Sequence, residues 1–301
     1  MNTLAEPRFQ RLAIIGCGLM GGSFALAARQ AGLVQSIAGF SASEKTRQRA
    51  LELQVIDQAC GSVAEAVHGA DLVLLAVPVG AMRQSFAAMA PALSAQALLM
   101  DVGSTKSDVI AAAQATLGDK LGCFVPAHPI AGKEVAGIDH ADARLYRDRR
   151  TVLTPLPNTT MRLLQTAHDV WRALGSPVST LSAQAHDATF AAVSHLPHML
   201  AFAAVNALTR QPSMDDFLDM AGPGFRDFSR IAASDPSVWR DILLANRSEV
   251  LAQLKHFRTA VAAFESAMET GDAPALHRLI DQARDVRAGW VLPNKPDHHG
   301  D

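Results

Sequence analysis

The chain has 301 residues, of which 49% are hydrophobic and 19% are charged, and its formal net charge is −2. This length suffices for two domains with apolar cores. The charges are interspersed, without the basic stripe that follows a phosphate backbone, which argues against a nucleic-acid partner. No uninterrupted apolar run approaches the ~18 residues that cross a membrane, and segment 1–11 is polar where a signal peptide would be apolar. We therefore expect a cytoplasmic protein without a membrane partner.

Between residues 11 and 180, short apolar runs rich in β-branched residues are each followed by a helical, Ala-rich stretch. This alternation is what parallel sheets with crossover helices require. The predicted strands are Leu12–Ile15, Ser36–Phe40, Leu72–Ala76, Ala97–Asp101, Cys123–Ala127, Thr151–Thr154 and Val178–Leu181. The pattern predicts an α/β fold with an N-terminal, doubly wound sheet of the Rossmann type.

From about Ser182 onward the β-like runs stop and signals for helix starts take over. Asp235-Pro236 and Asp272-Ala273-Pro274 each combine a capping aspartate with a proline that suits a first helical turn. The sequence therefore predicts two domains, a dinucleotide-binding domain over 1–182 and an all-α domain over 183–301.

One helical stretch carries an apolar stripe at spacings of three and four residues. Its members are Val250, Leu254, Phe257, Val261, Phe264 and Met268. Such a stripe is suited to helix packing. It predicts either an ordinary core stripe within the domain or the interface of a homodimer.

The first predicted strand runs into a glycine motif, Gly16-Cys17-Gly18-Leu19-Met20-Gly21, that precedes an Ala-rich helix. In this strand–turn–helix context Gly16 permits the tight turn, Gly18 lets the backbone approach a pyrophosphate, and Gly21 allows close packing of helix on strand. We expect Leu19 and Met20 to lie beside the same ligand. The motif predicts a bound dinucleotide rather than a merely structural turn.

The choice between NAD and NADP is read at the end of the second strand, where an acidic residue would hold the ribose of NAD. Ser41 stands there instead, followed by Lys45 and Arg47, and this favours NADP. NAD, or the use of both cofactors, is the alternative if the two basic residues are only solvated. Val77 and Pro78 end another strand, and we expect them beside the cofactor as well.

Two further strand ends carry polar residues, in the segments Asp101–Lys106 and His128–Glu134. The carboxyl ends of strands line the ligand crevice of α/β sheets. His128 is the candidate general base, because an imidazole accepts protons near neutral pH. Ser104 either orients that imidazole or the substrate, or caps the following helix, and the cap is the commoner role of such a serine.

Five segments together resemble the prephenate/arogenate dehydrogenase family over nearly the whole chain. They are the glycine motif with the following Gly22-Ser23, the segment Asp101–Lys106, the segment His128–Glu134, the run Ser194-His195-Leu196-Pro197-His198, and the segment 222–232. The resemblance implies a helical dimerisation domain after the Rossmann domain. It also implies oxidative decarboxylation of prephenate or arogenate.

The resemblance implies roles for individual residues. His128 would deprotonate the ring hydroxyl, and Ser104 would bridge that hydroxyl and the cofactor. His195 and Arg230 would recognise the substrate, since arginine binds carboxylates through two parallel hydrogen bonds. The remaining implied residues are Trp239, which would pack nearby, and Glu134 and Asp227, which would form a polar network at the entrance.

Two departures from the family pattern concern the substrate. Lys133 stands where many relatives have a small hydroxyl residue, and it would add a cation beside the substrate entrance. Pro223 replaces a glycine and removes a backbone donor. His195 and His198 lie three residues apart, yet no third ligand has matching spacing, so we expect no metal.

Two rival functions remain to be tested. A β-hydroxyacid type of dehydrogenase would need a catalytic lysine in the helical part, and no such motif is found. A silent dinucleotide sensor would keep the glycines without needing His128, His195 or Arg230.

Overall fold

The computed structural model describes residues 8–133 and 135–291. Its first part is a parallel sheet of six strands. The strands are β1 (Phe9–Ile15), β2 (Val34–Phe40), β3 (Gln58–Ala59), β4 (Leu72–Leu75), β5 (Leu98–Asp101) and β6 (Phe124–Val125). Their spatial order is β3-β2-β1-β4-β5-β6, so the chain reverses direction across the sheet between β1 and β4. Ligands of open α/β sheets bind at such a reversal.

Five helices connect or follow these strands. They are α1 (Leu19–Gln30), α2 (Glu44–Glu52), α3 (Val63–Val67), α4 (Met82–Met89) and α5 (Ser107–Thr116). One apolar core fills each face of the sheet, because central strands such as β1 send alternate side chains to opposite faces. The doubly wound Rossmann fold is therefore confirmed.

The predicted strand Cys123–Ala127 is wrong in one respect, because Pro126 divides it. Residues 124–125 end the first sheet as β6, and the chain then enters a second sheet of three strands. That sheet contains β7 (Ala127–Pro129), β8 (Thr151–Leu153) and β9 (Val178–Thr180), with α6 (Met161–Ala173) between the last two. β7 and β8 pair antiparallel, contrary to the expectation of parallel pairing, whereas β8 and β9 are parallel.

The rest of the described chain is helical, as expected. The helices are α7 (Ala183–Phe190), α8 (Leu196–Leu208), α9 (Met214–Asp219), α10 (Pro223–Ser229), α11 (Pro236–Ala245), α12 (Arg247–Glu269) and α13 (Ala273–Gly289). Both predicted caps are confirmed. The Asp235 carboxylate accepts from the amides of Ser237 and Val238, and that of Asp272 accepts from Ala275.

The apolar stripe of α12 is mostly exposed in a single chain. Val250 is buried, but Val261 is 46% exposed and Met268 is 63% exposed. Other large hydrophobic side chains of the helical domain, such as Leu244 and Val286, are also exposed. An exposed apolar surface of this kind is typical of an interface with another protein chain.

One continuous helical segment, Ala183–Leu208, is long and apolar enough to cross a membrane by length and composition alone. Helices of water-soluble proteins pass the same test. The segment carries Asp187 and His195, whose buried polar groups contact other parts of the chain. Through these contacts the segment packs against residues of both domains, Lys106 in the first and Asn246 in the second.

Candidate active site

The glycine turn lies where β1 and β4 end side by side. Gly16 has a φ of +103°, and a Cβ atom there would lie 2.3 Å from the carbonyl oxygen of Ala76. A Cβ on Gly21 would lie 2.1 Å from the carbonyl oxygen of Gly16, so helix α1 packs directly on the turn. A Cβ on Gly18, in contrast, would meet no atom within 4 Å. Packing of the chain itself therefore requires glycine at positions 16 and 21, whereas Gly18 faces open space.

A cleft of about 380 Å³ opens beside Gly18 and runs between the two domains. Its walls bring together many of the predicted residues: Gly18, Leu19, Met20, Val77, Pro78, Ser104, Lys133 and Trp239. The N-terminus of α1 points its amides toward this side and has no side-chain cap. Uncapped amides at a helix start, together with a glycine whose missing side chain leaves room, fit the pyrophosphate of a dinucleotide.

The end of β2 lies on one side of the glycine turn. Arg47 donates a 2.5 Å hydrogen bond to the Ser41 carbonyl oxygen, and its guanidinium lies over the Phe40 ring at 5.6 Å from the centroid. Lys45 is exposed. Arg47 is therefore held at the strand end rather than freely solvated.

His128 lies on β7 at the start of a chain of buried hydrogen bonds. Its Nδ1 is 2.8 Å from Nε2 of His186, and Nδ1 of His186 is 2.8 Å from Oδ1 of Asp187. Although burial opposes it, hydrogen bonds from His186, Ser107 and Lys106 lower the pKa of Asp187 to about 2. The resulting carboxylate can only accept hydrogen bonds.

This carboxylate sets the protonation of both imidazoles. His186 donates to Asp187 through Nδ1, so its Nε2 accepts from Nδ1 of His128. Nε2 of His128 then carries a lone pair. Burial, with the neighbouring His186, Lys106 and His195, holds the pKa of His128 well below 6.5. The arrangement provides a neutral imidazole that can accept a proton.

Asp187 also joins the helical domain to the first sheet. Its two carboxylate oxygens accept from the backbone amides of Lys106 and Ser107, at 2.8 Å each, at the start of α5. The alternative role of Ser104 as a helix cap is wrong, because Lys106 holds the N-cap position of α5 and Asp187, from another helix, accepts hydrogen bonds from the first amides. Ser104 instead lines the cleft.

A fully buried ion pair lies beneath the site. Nζ of Lys106 is 2.5 Å from Oδ2 of Asp101 and donates to the Ala127 carbonyl oxygen at 2.8 Å. The Asp101 carboxylate also accepts from the amides of Gly103 and Ala127. These bonds tie the segment that carries Ser104 to the residue directly before His128.

His195 lies in a π-helical turn, Ala191–His195, between α7 and α8. The Asn246 side chain contacts its Nδ1 at 3.1 Å, and its Nε2 is buried without a hydrogen-bond partner among the described residues. The Trp239 ring stacks on His198 with centroids 3.6 Å apart and also lies near His195. Trp239 lines the cleft, whereas His195 is buried behind its ring and, like His128, is not among the residues that line the cleft.

The remaining predicted residues lie nearer the surface. Arg230 begins a 3₁₀ turn, Arg230–Ala233. Burial is the main cause that lowers the pKa of the His198 imidazole, and the nearby charge of Arg230 lowers it further. Asp227 is exposed and paired with Arg226 rather than in the cleft. Lys133 lines the cleft, but its amine is 3.1 Å from the Asp142 carboxylate, so its charge is partly neutralised. Glu134 lies outside the described residues.

Several polar residues of this site carried no predicted role: His186, Asp187, Asn246, Asp101 and Lys106. His186-Asp187 lies in an ordinary helical stretch, and Asn246 lies between two helices without a surrounding motif. Asp101 and Lys106 belong to a segment that the sequence singles out, but only the fold shows that they pair.

A parallel sheet with this strand order, a glycine turn at its reversal and a cleft beside that turn are typical of a dehydrogenase that uses a nicotinamide dinucleotide. Two family models match the chain. The nucleotide-binding domain of prephenate dehydrogenase matches residues 24–180, and the dimerization domain of prephenate dehydrogenase matches residues 182–282. The chain therefore belongs to the prephenate dehydrogenase family.

Individual relatives agree with this assignment. The chain is 35% identical over 292 residues to cyclohexadienyl dehydrogenase of Zymomonas mobilis, covering 96% of this chain and 98% of that one. It is 30% identical to prephenate dehydrogenase of Bacillus subtilis, covering 96% and 82%. Prephenate dehydrogenase of Aquifex aeolicus, solved with hydroxyphenyl propionate and NAD+, superimposes with a TM-score of 0.84 at 33% identity, covering 93% of this chain and 96% of that one.

Proposed function

We propose that this protein catalyses the oxidative decarboxylation of prephenate, of arogenate, or of both, in tyrosine biosynthesis in the cytoplasm. The observation that carries the proposal is the hydrogen-bonded chain from His128 through His186 to Asp187, which provides a buried base. The names of the relatives support the substrate class. The product is 4-hydroxyphenylpyruvate from prephenate, or tyrosine from arogenate.

The proposed reaction needs a base, an oriented substrate and a hydride acceptor. The glycine turn and the uncapped amides of α1 would hold the dinucleotide, whose oxidised nicotinamide would supply the acceptor for the hydride of the substrate's carbinol carbon. His128 takes the hydroxyl proton on Nε2 as that oxygen becomes a carbonyl. The bond to the ring carboxylate then breaks and carbon dioxide leaves. The electron pair shifts through the ring to the carbonyl oxygen, which takes the proton back from His128 as the ring becomes aromatic. The protein's share is positioning, proton removal and charge complementarity.

Substrate recognition in this proposal falls mainly to residues of the helical domain. We assign His195 and Arg230 to substrate oxygens, Trp239 to packing against the ring, and Ser104 to the hydroxyl that loses its proton. Lys133 and Glu134 are assigned to the entrance, whereas Asp227, which pairs with Arg226 outside the cleft, is not. The pairing of Lys133 with Asp142 weakens any preference that this cation alone would give for an anionic side chain.

The cofactor we favour is NADP, with NAD as the alternative. Ser41 carries no charge to repel a 2′-phosphate, and Arg47 is held beside it at the end of β2. The structure of the relative from Aquifex aeolicus contains NAD+, and this supports NAD as the alternative cofactor. A Ser41→Asp variant should shift the preference toward NAD, because its carboxylate would repel a 2′-phosphate.

We also propose a homodimer formed through the helical domain. The support is the exposed apolar stripe of α12, with Val261 and Met268 in solvent in a single chain, together with the match to a dimerization domain. Covering this surface with a second copy would remove apolar area from water.

The test is a matrix of initial rates, with prephenate or arogenate and with NAD or NADP, following the reduced nicotinamide. His128→Asn is measured beside the unaltered protein, and dinucleotide binding serves as the control for folding. The proposal requires turnover in at least one combination and a large loss in the variant. Absence of turnover in all four combinations, while dinucleotide still binds, would contradict the assigned reaction. Full turnover by a folded His128→Asn variant would contradict the assignment of His128 as the base.

A further inference from the structure

Asn246 lies at the junction of α11 and α12 and is only 3% exposed. Its side-chain amide nitrogen, Nδ2, makes two contacts, at 2.8 Å to the Asp187 carbonyl oxygen and at 3.1 Å to Nδ1 of His195. Neither the family match nor any motif assigns this residue a role.

The Asp187 carbonyl determines how the Asn246 amide is oriented. A carbonyl oxygen can only accept a hydrogen bond, so the amide must present its nitrogen there and not its oxygen. The same nitrogen has a second hydrogen, which points to Nδ1 of His195. Nδ1 of His195 is therefore the acceptor of a hydrogen bond and carries no proton.

The tautomer of His195 follows. Burial, with His186 and His198 nearby, lowers the pKa of His195 to about 4 despite the opposing effect of Asp187, so the imidazole is neutral near pH 7. A neutral imidazole without a proton on Nδ1 carries it on Nε2. That Nε2 is the buried atom without a partner among the described residues.

We propose that Asn246 is a positioning residue that fixes His195 as a hydrogen-bond donor, through Nε2, to an oxygen of the bound substrate. This inference rests on the proposed function, in which His195 faces the substrate. A buried donor without a partner is costly, and a carboxylate or carbonyl oxygen of the substrate satisfies it. Through Asp187, the same asparagine connects His195 to the residues that orient His128.

The first test is independent of turnover. Nitrogen-15 correlation spectra of the unaltered protein near pH 7 report which imidazole nitrogen of His195 carries the proton, with a His195→Gln variant to identify its signals. The proposal requires a proton on Nε2 and none on Nδ1. A proton on Nδ1 in the folded protein would overturn it, whatever the activity.

The second test changes the donor. In Asn246→Asp a carboxylate replaces the amide, so it draws a proton onto Nδ1 of His195. We expect this change in the spectra, together with a KM for the substrate raised about tenfold, the equivalent of one lost hydrogen bond, and a smaller change in kcat. Asn206→Asp, the same change at an exposed asparagine on α8, is the matched control and should leave KM unaltered.

A third variant provides the same test if Asn246→Asp does not fold. Asn246→Ala removes the amide without adding charge, and it should yield a mixture of His195 tautomers and an intermediate KM. If the tautomer changes in either folded variant while KM stays the same, the role of Asn246 in substrate binding is refuted. Absence of any turnover in the unaltered protein would refute the proposed function instead, and the spectra would still decide the tautomer.

Discussion

Replacing Lys106 by methionine tests how strongly the buried ion pair holds the site together. The substitution keeps the length and apolar stem of the side chain but removes the ammonium group from Asp101, and both side chains are fully buried. Asp101 would keep only the two backbone amides of Gly103 and Ala127 as partners. Removing one partner of a buried pair costs about 3–5 kcal/mol, because an uncompensated charge remains. We expect a loss of that size in the free energy of unfolding.

Urea unfolding followed by circular dichroism, at one fixed protein concentration, measures this loss. For an m-value of about 3 kcal/mol/M, the midpoint should fall by roughly 1–2 M. Lys45→Met is the matched control, since Lys45 is exposed, and its midpoint should move little. The double variant Lys106→Met with Asp101→Asn should recover part of the loss, because it removes the stranded charge. A midpoint for Lys106→Met equal to that of Lys45→Met would refute the reasoning.

Three further predictions concern the cofactor, the pH dependence and the dimer. Gly18→Ala should fold normally yet bind dinucleotide at least tenfold more weakly. Gly21→Ala should also lower the melting temperature, because its Cβ would collide with the Gly16 carbonyl. Calorimetry and cofactor titration distinguish these two effects, and equal melting temperatures for the two variants would count against the packing argument. His195 has a folded pKa of about 4 against 6.5 in the unfolded chain, so the unfolded chain binds more protons between these values. Stability should fall by roughly 3 kcal/mol as the pH drops from 6.5 to 4, less so in His195→Gln, and an identical pH dependence in both proteins would contradict the assignment. Val261→Asp should convert a dimer to monomers in light scattering, with the exposed Met161→Asp as control, and a dimer that persists would move the interface elsewhere.

Much of the fold could be predicted because long periodic patterns carry it. The buried central strands and the two capped helix starts each have a local physical cause. Strand β3 escaped prediction because Gln58–Ala59 is a two-residue strand that pairs only with β2 and has no apolar run. The second sheet escaped for a different reason: hydrophobic pattern does not reveal that Pro126 diverts the chain to a new set of partners.

The cofactor cleft was predicted better than the polar groups behind it. Glycines at fixed spacing have a local meaning, and so does a histidine at a strand end. His186, Asp187 and Asn246 act through contacts with residues 51 to 81 positions away in the chain. Such contacts arise only when the helical domain packs on the sheet, so their positions carry no local signal. For the same reason, no local pattern indicates that the carboxylate that caps α5 comes from another helix.

The π-helical turn at Ala191–His195 has a consequence for how this site can change. A π turn accommodates one residue more than the α-helix that flanks it. Because the turn itself absorbs the extra residue, deleting one residue there would restore a regular helix and leave the part beyond it in nearly its present orientation relative to His186 and Asp187. The same deletion in the regular α-helix on either side would rotate the part beyond it by about 100°. The π turn is therefore the place in this continuous helix where the chain can lose a residue while His186 and Asp187 keep their orientation relative to α8.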